Sequence, residues 1–167
     1  CMLLALGCSM RVGEILGLRW DCVDISEDAI CAGTAHVRIT KELKRCQKDS
    51  LAALERRGRS TVLLTFPEWK QTGSSTSLVL KAPKTESSVR KVFLPKTVAL
   101  ALAEEKGRQQ ETKEMLADGY QDFDLVIAHE DGRPYEERQI AFLLRKLTDT
   151  TGLPPVVFHS LRHCSAS

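Results

Sequence analysis

Residues 3–20 read LLALGCSMRVGEILGLRW, and the spacing within them decides how the rest of the chain is taken. Met2–Leu6 suits the end of a buried helix, and Gly7-Cys8-Ser9 interrupts it. A second short helix is expected from about Met10 to Leu18, with Ile15, Leu16 and Leu18 apolar and Ser9 placed to cap it. Arg11 precedes Glu14 by three residues, which puts both on one helical face; a local ion pair is the plainest reading. Beyond it, Trp20-Asp21-Cys22-Val23-Asp24-Ile25 alternates apolar and acidic residues, the mark of a half-buried strand.

Further along, a second strand fits His36–Ile39, where Val37 and Ile39 point one way. Residues 41–60 are basic and helical in composition and close at Gly58; Thr61–Phe66 is β-rich and ends at Pro67. Residues 71–77 make a polar loop. Leu78-Val79-Leu80 and Val92-Phe93-Leu94 flank Lys84-Thr85-Glu86-Ser87-Ser88, which predicts a β-hairpin stopped by Pro95. A long helix is expected from Thr97, with Leu100, Leu102, Met115 and Leu116 on its apolar side. Leu125–Ala128 reads as extended, before a turn at Glu130–Pro134. Ile140, Leu143, Leu144 and Leu147 recur at i, i+3, i+4, i+7, so Glu136–Thr150 is an amphipathic helix, ended by Gly152 and Pro154. A final helix begins near His159. The expected fold class is α+β, mainly α: one helical domain with a small antiparallel sheet or hairpin.

At 167 residues the chain has the length of one domain, and 43% apolar with 28% charged residues excludes disordered and collagen-like classes. No apolar run approaches the roughly 20 residues of a membrane-spanning helix. The formal net charge of +2 names no partner, but its distribution does. Residues 38–100 carry a net +9 and residues 101–137 a net −7. A surface so divided can hold a polyanion on one side without an extreme overall pI. Lys48, Arg56, Arg57, Arg90 and Lys91 are the candidate contacts to a nucleic-acid backbone.

The six cysteines show no C-x-x-C spacing, and His36, His129, His159 and His163 pair with none of them at zinc-finger distance. Free thiols in a reducing cytoplasm and no structural metal are expected. No basic segment precedes Met2–Leu6, so a secretory leader is not expected. The chain starts at Cys1 and stops four residues after His163, which reads as a domain cut at both ends.

The candidates for chemistry gain meaning together. His159, Arg162 and His163 fall at i, i+3, i+4 and share one face of the last helix, whose start offers backbone N–H groups. Two arginines (Arg11 and Arg162), Lys84 and His159 aimed at one point would suit an anion with several oxygens. No acidic cluster stands among them to hold Mg²⁺, and no cofactor is called for. What remains is metal-free chemistry at a phosphodiester.

Leu3–Trp20 resembles the first catalytic-arginine motif of the tyrosine recombinases, the phage and conjugative-transposon integrases. Lys84-Thr85-Glu86-Ser87-Ser88-Val89-Arg90-Lys91-Val92-Phe93-Leu94-Pro95 is similar to that family's catalytic-lysine hairpin. Phe158-His159-Ser160-Leu161-Arg162-His163 resembles its histidine-x-x-arginine motif, and Gly132-Arg133-Pro134 the turn before an intervening helix. The catalytic motifs come in the family order, and the likeness runs from the first residue to the last.

The resemblance implies roles. Arg11 and Arg162 would bind the non-bridging oxygens of the scissile phosphate and stabilise the charge that builds in its transition state. Lys84 would protonate the departing 5′-oxygen, and His159 would act as acid/base partner of the nucleophile. Glu14 and His163 would hold these groups in place. A tyrosine that forms a 3′-phosphotyrosyl bond would let strands rejoin without ATP. In the family that tyrosine follows the histidine-x-x-arginine motif, whereas Tyr120 and Tyr135 both precede it here. The resemblance also implies double-stranded DNA as partner and self-association, as a tetramer on paired sites. A DNA-binding module without chemistry, or a relative of type IB topoisomerases, are the alternatives. The stretch 46–77 is long for the family.

Overall fold

The structure, a computed structural model, describes residues 1–58, 60–69, 73–83, 88–154 and 156–163, with the side chains of Arg162 and His163 outside the description. It begins with α1 (Met2–Cys8), which runs through Gly7 and stops where Ser9 takes the left-handed conformation at φ 49°. Ser9 thus closes the first helix instead of opening the second. The second, α2 (Val12–Leu16), starts from an extended Arg11. Arginine has no side-chain acceptor to cap a helix. The Glu14 carboxylate makes up for this by accepting the Arg11 backbone N–H at 2.9 Å.

The alternation at Trp20–Ile25 yields only a two-residue strand, β1 (Val23–Asp24), behind a 3₁₀ turn at Trp20–Cys22. Trp20 is drawn out of line because its indole N–H donates to Gln109 Oε1 at 2.9 Å. The sequence reading passed over α3 (Glu27–Cys31), although Ser26 caps it by accepting the Ala29 N–H at 3.3 Å. Strand β2 (His36–Ile39) follows.

Two regions differ from expectation in an instructive way. Residues 42–47 are a strand, β3 (Glu42–Gln47), and helix α4 (Lys48–Arg56) starts only after it. Pairing with a neighbour strand overrides helical composition there. The predicted hairpin does not form: β5 (Thr76–Lys81) pairs antiparallel with β3 and with β4 (Val62–Thr65), while β6 (Arg90–Phe93) pairs antiparallel with β2. Two three-stranded sheets result among the described residues, ordered β1-β2-β6 and β3-β5-β4. β3 with β5 and β2 with β6 therefore form two successive antiparallel ladders. Lys81 faces Glu42 at the end of one, and Arg90 faces Ile39 at the start of the other. Two residues, Thr40 and Lys41, join the ladders on one side.

The long helix α5 (Lys96–Leu116) buries Val98, Ala99 and Leu102, so of the expected stripe only Leu102 meets the core. Leu100 and Leu116 are about half-exposed and Met115 lies in solvent, because the helix meets the core only near its start. On α6 (Glu137–Thr151) the buried line is Ile140, Leu144 and Thr148, and Leu143 and Leu147 are exposed. The last helix, α7 (Phe158–His163), packs against α1 and α6.

Two cores organise these elements. One gathers Leu4, Met10, Ile15, Val37, Ile39, Ala99 and Val126; the other gathers Leu16, Leu43, Phe66, Leu78, Leu80 and Ile140. The adjacent residues Ile15 and Leu16 belong to different cores, so α2 is wedged between them. Phe158 of α7 touches both.

Candidate phosphate-binding site and family

The wedged helix lies directly on β3. A Cβ on Gly17 would come within 2.7 Å of the Leu43 nitrogen and 2.9 Å of the Glu42 carbonyl carbon, and one on Gly13 within 3.1 Å of the Leu43 oxygen. Glycines at i and i+4 on one helical face thus permit backbone-to-backbone contact. This contact sets Arg11 and Glu14 beside the step between the two ladders.

Glu14 is the centre of the arrangement. Its side chain is 5% exposed, whereas Arg11 is 53% and Arg90 30% exposed. Arg90 grips the carboxylate with both ends of its fork, Nη1 to Oε1 and Nη2 to Oε2, each at 2.9 Å. Arg11 donates to the same group through Nη1 at 3.0 Å and through its backbone N–H. Burial pushes the Glu14 carboxyl up, but the Arg90 hydrogen bonds, the Arg11 amide, the Arg90 charge and the Arg11 guanidinium hydrogen bond together outweigh it and hold the group below the ordinary glutamate value. One buried anion thus anchors two cations, and the half-exposed Arg11 keeps donors for a further anion.

Of the other residues singled out in the sequence, α7 carries His159, Arg162 and His163. Its packing on α1 brings it to the helix whose carboxyl end leads into Arg11. His159 is exposed on that helix. Lys84 and the side chains of Arg162 and His163 lie outside the described residues. Lys91 is exposed, its Nζ 5.0 Å from the centroid of the Phe93 ring, and faces the exposed Arg38 across the ladder. Arg90, the next residue in the strand, points to the opposite face, the one that buries Val37 and Ile39. Lys48 and Arg56 belong to α4 and Arg57 caps its carboxyl end; the helix starts at the far end of β3, about 17 Å along the strand from Glu42 at 3.3 Å per residue. Lys48 pairs with Glu68 at 2.5 Å, and the Arg56 side chain donates to the Ala52 carbonyl.

Sequence reasoning missed the Gly13–Gly17 contact, though the i, i+4 glycines were visible. It also missed a cleft between β3, β5 and the start of α6, lined by Arg45, Trp69, His129, Arg133 and Glu136. Its arginines are committed: Arg45 pairs with Glu136 and Arg133 with Asp131. Tyr120 and Tyr135 are equally engaged. Burial, and then the Asp122 charge, push the Tyr120 phenol up, and Tyr135 stacks on His129 at 3.7 Å. Among the described residues no group of three or more His, Cys, Asp or Glu side chains could hold a metal ion, and no helix is long and apolar enough to cross a membrane.

The family model described as the phage integrase family matches residues 1–167. The chain belongs to the phage integrase family. A curated relative, the XerC-like tyrosine recombinase of Caldanaerobacter subterraneus subsp. tengcongensis, is 24% identical over 168 residues, covering 99% of this chain and 36% of its own length. Among solved structures, the Tn1549 transposon integrase in complex with a circular intermediate DNA superposes with a TM-score of 0.61 at 16% identity, covering 98% of this chain and 43% of that one. The XerA recombinase superposes with a TM-score of 0.55 at 15% identity, over 98% and 39% of the two chains. These structural likenesses show the integrase catalytic fold, mainly helical with small antiparallel sheets. The integrase-family chain spans less than half the length of each of these relatives.

Proposed function

We propose that this chain is the phosphate-holding part of a DNA breaking-rejoining enzyme, a tyrosine recombinase that integrates or excises a mobile element at specific sites. The observation that carries the reading is the half-exposed Arg11, fixed at the head of a helix wedged between two cores by a buried carboxylate that a second arginine already neutralises. In this reading Arg11 and Arg162 hold the non-bridging oxygens of the scissile phosphate and stabilise its added charge in the transition state. Lys84 protonates the 5′-oxygen, His159 handles the proton of the nucleophile, and Glu14 and His163 position the ligands. Lys91 opposite Arg38 supports a DNA contact, because like charges facing across strands repel and a phosphate relieves them. Lys48, Arg56 and Arg57 extend the contact along the backbone.

We place the nucleophile outside these 167 residues, since both tyrosines precede the histidine-x-x-arginine motif and their rings are engaged, Tyr120 by Lys113 and Tyr135 by His129. We also infer self-association on paired sites, for which the exposed Phe142, Leu143 and Leu147 of α6 supply an apolar surface. A cytoplasmic setting fits the free thiols of Cys1, Cys8, Cys22, Cys31 and Cys46. The test is a DNA substrate nicked beside the cleavage site. The 167-residue chain forms no covalent adduct, and a longer natural chain forms one through a tyrosine beyond Ser167. In that longer chain Arg11→Ala and Arg162→Ala each lower adduct formation on the order of 10²–10³-fold. An adduct through Tyr120 or Tyr135 would overturn the assignment.

A further inference from the structure

Arg90 occupies the position of a DNA contact in sequence but not in space. Its register opposite Ile39 turns it to the inner face of the ladder, where it binds both oxygens of Glu14 and donates to the Ser88 carbonyl at 3.3 Å. Arg11 touches the same carboxylate with a single guanidinium nitrogen. The three side chains together carry one net positive charge. Without Arg90 the sum is zero: Glu14 would neutralise Arg11 and draw its fork inward, because a buried carboxylate takes whatever donors remain. With Arg90 in place the carboxylate is already satisfied, and Arg11 is fixed in direction while its charge stays available to an anion.

We propose that Arg90 is a positioning residue that keeps the Arg11 charge available to DNA by neutralising Glu14. The proposal rests on the reading of Arg11 as a phosphate ligand, and it replaces the reading of Arg90 as a DNA contact. It makes the effect of Arg11 conditional on Arg90, and it makes Glu14 the reason.

The experiment measures the affinity of the 167-residue chain for a short DNA duplex at low and moderate salt, with the fold of each variant checked by its amide spectrum. In the wild-type background Arg11→Ala should weaken binding roughly tenfold and lower the salt slope by about one. In an Arg90→Ala background Arg11→Ala should cost less than about twofold, since Glu14 has already cancelled its charge. Adding Glu14→Gln to Arg90→Ala should restore both the affinity and the full effect of Arg11→Ala. A role confined to folding would give no such rescue, and a direct DNA contact by Arg90 would make the two arginine effects simply add. If Arg90→Ala does not fold, Arg90→Gln keeps a donor to the carboxylate without the charge and allows the same comparison. Equal costs of Arg11→Ala with and without Arg90 would overturn the proposal while leaving Arg11 as a phosphate ligand. An Arg11→Ala variant that binds as well as wild type would overturn the phosphate-site reading, and this inference with it.

Discussion

The chain uses the same device twice, at Glu14 and at Glu136, and the two copies differ in what they leave exposed. Each carboxylate sits at the amino end of a helix, and each is gripped through both oxygens by a strand arginine. Arg90 holds Glu14 at 2.9 and 2.9 Å, and Arg45 holds Glu136 at 2.8 and 2.8 Å. In each case the side chain at the third helical position accepts the N–H of the residue before the helix, Glu14 from Arg11 and Gln139 from Glu136. Each carboxylate also has a second arginine. At Glu14 this is Arg11, at 3.0 Å and rooted between two cores; at Glu136 it is Arg138, at 3.4 Å and 78% exposed. One copy fixes a cation for use, and the other fastens α6 to β3. The difference lies in the burial of the anion and in what packs behind the helix.

The largest expected effect separates the two anions. Glu14→Ala removes the buried partner that Arg90 and Arg11 share, and should cost about 2.5 kcal/mol, towards the upper end for lost hydrogen bonds to a charged group, since both arginines keep access to solvent. Glu136→Ala should cost about 1.5 kcal/mol, typical of lost charge-assisted hydrogen bonds at a wetter site. Urea denaturation of both variants checks this. Equal losses would mean that burial of the anion does not distinguish the two devices.

Next comes the contact that only the first device has. Gly17→Ala drives a methyl group into the backbone of Glu42 and Leu43, where no flexible side chain can give way. Such overpacking should cost about 2 kcal/mol, and the shift of α2 should weaken DNA binding as well. A Gly17→Ala chain with wild-type stability and DNA affinity would show that α2 can move off β3 without disturbing Arg11.

Acid sensitivity should rank the two carboxylates differently from truncation. Both are held low in the folded chain, so each contributes stability that is present above the unfolded glutamate value of about 4.3 and lost as pH falls through the folded one. At Glu14 burial is the largest single influence and works against the lowering, whereas at Glu136 the Arg45 hydrogen bond is the largest and works for it. Glu136→Gln should therefore flatten the acid limb of the stability profile at least as much as Glu14→Gln. A clearly larger flattening from Glu14→Gln would reverse this assignment of causes.

Much of this was legible in the sequence, and the failures share a physical origin. The helices at 96–116 and 137–151 and the strand at 36–39 follow from periodicity and capping, which are local. Arg11 and Glu14 stood out by helical spacing alone. The partner of β5 is set by a ladder with β3, whose paired residues lie 29 to 39 positions earlier, and nothing local distinguishes that from a hairpin with β6. The same non-local register separates Arg90 from Lys91. In composition they are two adjacent basic residues, but once Ile39 faces Arg90, one turns toward Glu14 and the other toward solvent. The Glu136 device was invisible because Arg45 lies 91 residues away and within a stretch read as helix.

The smallest effect is the one that most sharply separates the second arginines. The side chains of Arg138 and Arg11 each add one hydrogen-bond partner to an anion already held through both oxygens by another arginine, so neither should be needed to keep its helix in place. Arg138→Ala removes a largely exposed pair at 3.4 Å and should change stability by less than about 0.5 kcal/mol. Arg11→Ala should also stay within about 1 kcal/mol, because its guanidinium is more than half in solvent and Arg90 still satisfies Glu14. The two should part in DNA affinity at low salt, measured on the same samples. Arg11→Ala weakens binding far more than Arg138→Ala, although each removes one positive charge and neither unfolds the chain. If both lower affinity alike, the chain reads DNA only as a charged surface, and fixing Arg11 between two cores confers no advantage over leaving Arg138 exposed on α6.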